Sequence, residues 1–475
     1  MRRKIAAGLT ALMMLGTAVP MAGLPEIAMI AWAEEEAPTS GTCGENLTWK
    51  ITDGVMTISG TGAMDNYYFN SNNETNIPWY SCNNIEKVVI EDGVTSIGSY
   101  AFLGIPMTSI TIPDSVTQIG ERAFSACTKL SSVTIPDSVT SINSSAFAGC
   151  ASLTSIAIPN GVTRIGYCTF TQCSSLTSVT IPDSVTSIDQ YTFFNCTSLT
   201  SINIPNSVTS IGQSAFEGCT ALTSITFPES VTSIGMNAFS STPWLNAKKE
   251  EDTLVIVNGL LIDATTAEGD IIIPDNVTSI GERAFYVCHN MTSVTIPDSV
   301  TSIGKSAFYW CDSLTSVTIP DSVTSIGESA FGRCTGLTSV TIPDSVTSIE
   351  WYAFDYCDKL TISGYDGSYA QTYANNKNIP FKSLGTAPVV EPVEQALGDL
   401  DGDGTINASD AANVLIASAA AGAGGELGLT EAQIRAADVN NDTTVNASDA
   451  AIILIYAAAV GAGQENVQIT DFVHK

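Results

Sequence analysis

Pro136-Asp137-Ser138-Val139-Thr140-Ser141-Ile142-Asn143-Ser144-Ser145-Ala146-Phe147-Ala148-Gly149-Cys150-Ala151-Ser152-Leu153-Thr154-Ser155-Ile156-Ala157-Ile158 is the stretch that decides the fold. Val139, Ile142, Ala146, Phe147, Cys150, Leu153, Ile156 and Ile158 are apolar, and Ser, Thr, Asp and Gly lie between them. Val139–Ile142 and Ile156–Ile158 read as short β segments, and Ser145-Ala146-Phe147 as a helical turn. The unit is too small to bury a core alone, and it recurs. Its proline returns at 113, 136, 159, 182, 205 and 228, and then at 274, 297, 320 and 343. The interval across the gap is 46, two periods of 23. A fixed period of this length predicts coils that stack, so that like side chains meet in ladders. A repeated charge would repel its own copies along a ladder, which explains why Ser and Thr fill the polar places.

Cysteine follows the same register at 127, 150, 173, 196 and 219, and again at 288, 311, 334 and 357. Residues at one repeat position read as a buried ladder of small apolar groups, not as a bridge framework. Cys43, Cys82 and Cys168 are off register, and Cys43–Cys82 is a bridge candidate.

The whole chain has 475 residues, 18 Lys+Arg against 48 Asp+Glu, and a formal net charge of −30. Such a balance argues against nucleic-acid binding, which needs clustered cations. The two His, at 289 and 474, are too few for a His-ligated centre. Arg2, Arg3 and Lys4 precede an apolar run from Ile5 to Val19, and Ala31-Trp32-Ala33 fits a cleavage site, with Ala22 a second candidate. Residues 1–33 are thus expected to be a secretory signal peptide. No other run is long enough to span a membrane. Residues 34–80 hold Leu47–Ile51 and Val55–Ile58 around Asp53-Gly54, a hairpin signal suited to capping the stack. A helix over Gly367–Ala374 and a strand at Ile379-Pro380-Phe381 would close the other end.

Residues 383–396, with Pro388 and Pro392, read as a linker. Beyond them, Asp399-Leu400-Asp401-Gly402-Asp403-Gly404-Thr405-Ile406-Asn407-Ala408-Ser409-Asp410 is matched 39 residues later by Asp438-Val439-Asn440-Asn441-Asp442-Thr443-Thr444-Val445-Asn446-Ala447-Ser448-Asp449. Oxygens at positions 1, 3, 5, 7, 9 and 12 of a tight loop can surround a hard cation, so two Ca²⁺ ions are expected. The donors would be Asp399, Asp401, Asp403, Thr405 (through its carbonyl), Asn407 and Asp410 in one loop. In the other they would be Asp438, Asn440, Asp442, Thr444, Asn446 and Asp449. Gly404 suits the sharp turn at position 6, where Thr443 puts the second turn in doubt. Each loop runs into a helical pattern, and Thr430–Gln433 is a capping box for a helix between them.

The phrase Leu-Thr-Ser-Val-Thr-Ile-Pro-Asp-Ser-Val-Thr-Ser-Ile-Gly-x-x-Ala-Phe-x-x-Cys resembles the BspA-like leucine-rich repeat over residues 81–382. The insertion at Thr242–Leu245 and Leu254–Ile262 looks like the interrupting segment of such arrays. The duplicated loop–helix with Asp at position 12 resembles a type I dockerin over residues 397–475. The expected fold is therefore a leucine-rich-repeat solenoid of short β-strands and turns in 23-residue coils, with a β-rich N-terminal cap and a small all-α calcium-binding module. The dockerin resemblance implies calcium-dependent binding to a cohesin on a scaffold protein of a multi-enzyme polysaccharide-degrading complex. It also implies a secreted protein held at the cell surface through that complex. Cohesin-binding positions map to Ala408, Ser409, Leu415 and Ile416, and to Ala447, Ser448, Leu454 and Ile455. The competing reading of the four aliphatic residues is core packing. Near-identity of the two copies implies two binding orientations.

Scattered acids such as Glu121, Glu217, Glu282 and Glu328 form no acid/base pair by spacing, and no Gly-x-Ser-x-Gly elbow appears. His289 beside Cys288 suggests a Cys–His pair only superficially, because adjacent residues usually point apart. The expectation is a non-catalytic component whose solenoid binds a carbohydrate, cell-surface or protein ligand. The alternatives are a glycoside hydrolase anchored by its dockerin, and an adhesin. Tyr286, Tyr309, Trp310, Trp351, Tyr352 and Tyr356 are candidates for a ligand patch, or else they fill outer grooves.

Overall fold

The structure is a computed structural model that describes residues 38–72, 74–387, 396–422, 427–464 and 467–473. The signal-peptide reading, most of the linker and His474 lie outside the described residues. Two compact units are present. One runs to Lys382 apart from Tyr365–Gly367, and the other holds those three residues and the chain from Ser383.

The first unit is a β-solenoid. Most coils contribute strands of two to five residues, and many of these pair in parallel with the matching strand one coil on. Ser187–Ile188, for example, pairs with Ser210–Ile211, which pairs in turn with Ser233–Ile234. The apolar set read from residues 136–158 is buried throughout. Phe102, Phe124, Phe147, Phe170, Phe193, Phe216 and Phe239 stack ring on ring at 5.1–5.7 Å. A second Phe stack runs from Phe285 through Phe308 and Phe331 to Phe354.

Hydroxyl ladders stitch the outside of the coils. Thr177 Oγ1 donates to Thr154 O at 3.0 Å, and Ser184 Oγ to Val162 O at 2.7 Å. The abundant Ser and Thr thus add donors to neighbouring carbonyls as well as avoiding like charge.

The helical turn expected at Ser145–Phe147 is not helical. Ala146, Ala148 and Cys150 N–H groups donate back three residues, to Asn143, Ser145 and Phe147 carbonyls. The alternate N–H groups, of Ser145, Phe147 and Gly149, donate forward to Tyr167, Thr169 and Thr171 of the next coil. The segment is a run of overlapping turns that serves as a ladder rung. Ser145 (φ 57°) and Gly149 (φ 72°) take left-handed backbone to make it.

Ser40–Gly44, Leu47–Thr52 and Val55–Gly60 form the antiparallel cap, with Asp53 and Gly54 at positive φ in the turn. Val55–Gly60 then pairs in parallel with Lys87–Ile90, which starts the stack. The array is interrupted by helix α1 (Pro243–Glu251), N-capped by buried Thr242, and by the hairpin Val255–Val257/Leu260–Asp263. Helix α2 (Tyr369–Lys377) buries Ala370, Tyr373 and Ala374 against the last coils.

All twelve cysteines are unbridged, so Cys43–Cys82 is corrected: Cys43 is buried, and Cys82 Sγ donates to Pro38 O at 3.3 Å. The in-register thiols are buried and hydrogen-bonded to main chain.

The second unit contains helices α3 (Ala408–Gly422), α4 (Glu431–Ala437) and α5 (Ala447–Gly461). Its core includes Leu400, Val414, Ala437, Val439, Ile453 and Phe472. The capping box at Thr430/Gln433 is formed, and Gln433 Nε2 also reaches Leu400 O at 3.2 Å.

Candidate metal centre and docking face

Loop one wraps on its own carboxylates. Asp399 is 4% exposed, and its two oxygens accept N–H from Gly402 (2.9 Å) and Gly404 (3.0 Å). Asp401 accepts from Asp403 N, and Asp403 from the N–H and hydroxyl of Thr405. The Thr405 bonds hold the Asp403 carboxyl below its ordinary range. One oxygen from each of Asp399, Asp401 and Asp403 lies within 4.8 Å of the others. Among the described residues, no Lys or Arg is in ion-pair range of the three. Three like charges held this close, with hard oxygen donors, fit a divalent cation such as Ca²⁺.

Asp410, at position 12, is fully buried at the start of α3. It accepts N–H from Leu400, Asp401 and Asn407 at 2.7–3.2 Å, so it closes the loop on the helix. Asn407 Nδ2 donates to Thr405 O, and Asn407 Oδ1 accepts from Ser409 N.

Loop two repeats the plan. Asp438 accepts from Asp442 N and Thr443 N, both at 2.9 Å, and Asp449 from Asn440 N and Asn446 N. Asn440 Oδ1 accepts from Asp442 N, and Asp442 from Thr444 N. Asn446 caps α5 through Ser448 N and sends Nδ2 to Thr444 O. Thr443 takes φ 70°, against 83° for Gly404, so the second turn forms without glycine. Burial, aided by Asp438 and Asp442, raises the Asp449 carboxyl above its ordinary range. A bound cation would oppose that rise.

Helix direction follows from the loops. Val414 and Ile453 point inward and are fully buried. The core reading of their neighbours does not hold: Leu415, Ile416, Leu454 and Ile455 are 42%, 68%, 44% and 48% exposed. Ala408, Ser409, Ala447 and Ser448 are exposed as well. Each copy thus carries the same row of small and aliphatic side chains in water.

On the solenoid, the six aromatic candidates fall into three groups along the turn ladder. Tyr286 and Tyr309 stack at 5.6 Å, half-buried, with Arg283 over Tyr286. Trp310 and Tyr356 flank the Arg333 guanidinium, at 5.7 and 4.8 Å. Trp351 and Tyr352 share Lys377. Four of the six, Trp310, Trp351, Tyr352 and Tyr356, are exposed. His289 turns to Asp312 (2.9 Å), and Cys288 Sγ donates to Ala264 O, so the two make no pair.

The profile of the BspA type leucine rich repeat region matches residues 75–198, 140–258 and 265–376. The chain belongs to the BspA type leucine-rich repeat family. Residues 397–456 of this BspA-type protein match the type I dockerin domain. Type I dockerins bind calcium and dock on cohesins in cellulosome-type assemblies, and leucine-rich-repeat solenoids are binding scaffolds. No enzymatic domain is matched, and no helix among the described residues is long and apolar enough to cross a membrane.

The chain is similar to a leucine rich cell surface protein from Faecalibacterium prausnitzii A2-165, with 30% identity over 71% of this chain and 98% of that one (TM-score 0.39). A leucine-rich repeat protein from Eubacterium ventriosum ATCC 27560 is 27% identical over 67% and 95% (TM-score 0.42). One from Bacteroides ovatus ATCC 8483 is 26% identical over 72% and 99% (TM-score 0.40). Among curated proteins none matches the chain.

Proposed function

We propose that this BspA-type protein is a secreted, non-catalytic component of a cellulosome-type assembly, held at the cell surface through its scaffold. Its domains are a signal peptide (1–33), a β cap (34–80), a repeat solenoid (81–382), a linker (383–396) and a dockerin (397–475). Each Asp-rich loop takes one Ca²⁺, through Asp399, Asp401, Asp403, Thr405, Asn407 and Asp410, or through Asp438, Asn440, Asp442, Thr444, Asn446 and Asp449. The ions would cancel the repulsion within each loop and pin it to its helix. The helices then offer Leu415 and Ile416, or Leu454 and Ile455, with the Ala-Ser pair ahead of each, to a cohesin. The solenoid meanwhile serves as a ligand-binding surface, and the six aromatic residues are one part of it.

The observation that carries this reading is the duplicated exposure of aliphatic residues beside each loop. Water-facing Leu and Ile at equal places in two copies make a candidate protein-binding surface. The test is calorimetry of the whole chain against a panel of type I cohesins, with calcium and with chelator. Binding in calcium and loss of binding in chelator are expected. Failure to bind any cohesin in calcium overturns the proposal.

A further inference from the structure

The repeat itself reveals a second feature. Because coils are near copies, side chains that pack or ladder are the same from coil to coil, and departures stand out. Ser141, Ser187, Ser210 and Ser233 occupy one strand position, from which Gln118 and Arg164 depart. Gly120, Gly166, Gly212 and Gly235 occupy another, from which Asn143, Asp189 and Glu350 depart. Arg164 and Asp189 adjoin Tyr167, Gln190 and Gln213, which lie on consecutive coils, and all five side chains line one groove of about 490 Å³. Gly212 and Gly235 bring no side chain to its floor. It crosses the strands Arg164–Ile165 to Ser233–Ile234, about 14 Å at the usual strand spacing.

The groove is built of braced groups. Arg164 Nε donates to both oxygens of Asp189 (2.9 and 2.8 Å), while its outer nitrogens have no protein acceptor among the described residues. Gln213 Nε2 donates to Tyr191 Oη at 3.0 Å, which orients the amide. The Tyr191 ring meets Tyr167 edge-on at 5.8 Å, and Tyr167 stays 47% exposed. The Gln190 amide has no protein partner among the described residues. Donors and acceptors therefore alternate beside an aromatic ring. Sugar hydroxyls, each both donor and acceptor, complement such a row, and a pyranose face suits the ring. Charge selects further. Arg164 and Asp189 cancel, Glu282 at the end of the groove has no ion-pair partner among the described residues, and the chain carries −30 overall. A polyanion would be repelled.

We infer that this groove binds a short run of neutral sugars within a polysaccharide chain. The inference rests on the reading of the solenoid as a ligand-binding surface, and apart from Glu282 the groove lies on coils other than those of the six aromatic residues. The test is native electrophoresis of the whole chain in gels containing xyloglucan, glucomannan, mixed-linkage β-glucan or polygalacturonate. Retardation by a neutral polymer and none by polygalacturonate is expected. Tyr167→Ala and Gln213→Ala should each weaken retention by about tenfold, with an unchanged thermal transition. Tyr68→Ala, an exposed aromatic outside the groove, should retain it. Absence of retardation by all three neutral polymers, or retention indifferent to both groove variants, overturns the inference. Retention abolished by Trp351→Ala alone also overturns it, and leaves the solenoid's role as a binding surface standing.

Discussion

The Sγ of Cys150 donates to the main-chain carbonyl of Phe124, 26 residues earlier and 3.2 Å away. Cys127, Cys173, Cys196, Cys219, Cys311, Cys334 and Cys357 make the same bond to the matching Phe carbonyl. The thiol is small enough for the core and still supplies a weak donor to a buried carbonyl. Cys150→Ala removes that donor and leaves a small void, although Phe124 O keeps the N–H of Cys127. A loss of about 1–2 kcal/mol is expected, read as a lower denaturant midpoint.

Burial pushes the thiols of Cys127, Cys173, Cys219 and Cys357 up to about 12. The folded chain thus holds these protons more tightly than the unfolded chain does. Their contribution to stability is complete below the ordinary thiol value near 9 and is lost as pH rises towards about 12. The solenoid should melt at progressively lower temperature across that window. A flat profile from pH 9 to 12 would count against the buried thiol ladder. In native protein at neutral pH, alkylation should reach half-buried Cys168 before any ladder cysteine.

Gly120 and Gly149 should differ sharply as alanines. A Cβ at Gly120 would sit 2.5 Å from Ser99 N, on backbone that cannot yield. At Gly149 the nearest atoms are 3.5 Å away, and Ala126 holds the same place with φ 59°. Gly149→Ala should cost about 1 kcal/mol and Gly120→Ala several-fold more. Equal denaturation midpoints for the two variants would contradict the packing of these coils.

Calcium titration of the whole chain should show two ions. Asp399→Ala should leave one, and Asp399→Ala with Asp438→Ala none. Asp410→Ala should also disrupt loop one, because three N–H groups lose a charged acceptor, at about 1.5–3 kcal/mol for each such bond.

The duplicated faces predict redundancy. Ile416→Asp or Ile455→Asp alone should leave cohesin affinity within a few-fold, since the other copy can dock. The double variant should weaken binding by at least about thirtyfold. A single variant that abolishes binding would mean that only one orientation operates.

The 23-residue period, the apolar register and the Asp spacing were legible because each recurs along the chain at fixed distance, so local sequence carries the whole pattern. The turn at Thr443 and the rung at Ser145–Gly149 were not. Both depend on left-handed backbone at non-glycine residues, held by hydrogen bonds within the loop or to the next coil. The exposure of Leu415, Ile416, Leu454 and Ile455 was undecided in sequence, because an apolar residue in a short helix can face either way. Only the packing of Val414 and Ile453 inward settles it. Tertiary structure alone joined Arg333 to Trp310 and Tyr356, and joined Arg164 to Asp189 beside Tyr167. Such contacts link residues a full coil apart whose meeting depends on stacking register, whereas the repeat that produces the stacking is written in every coil.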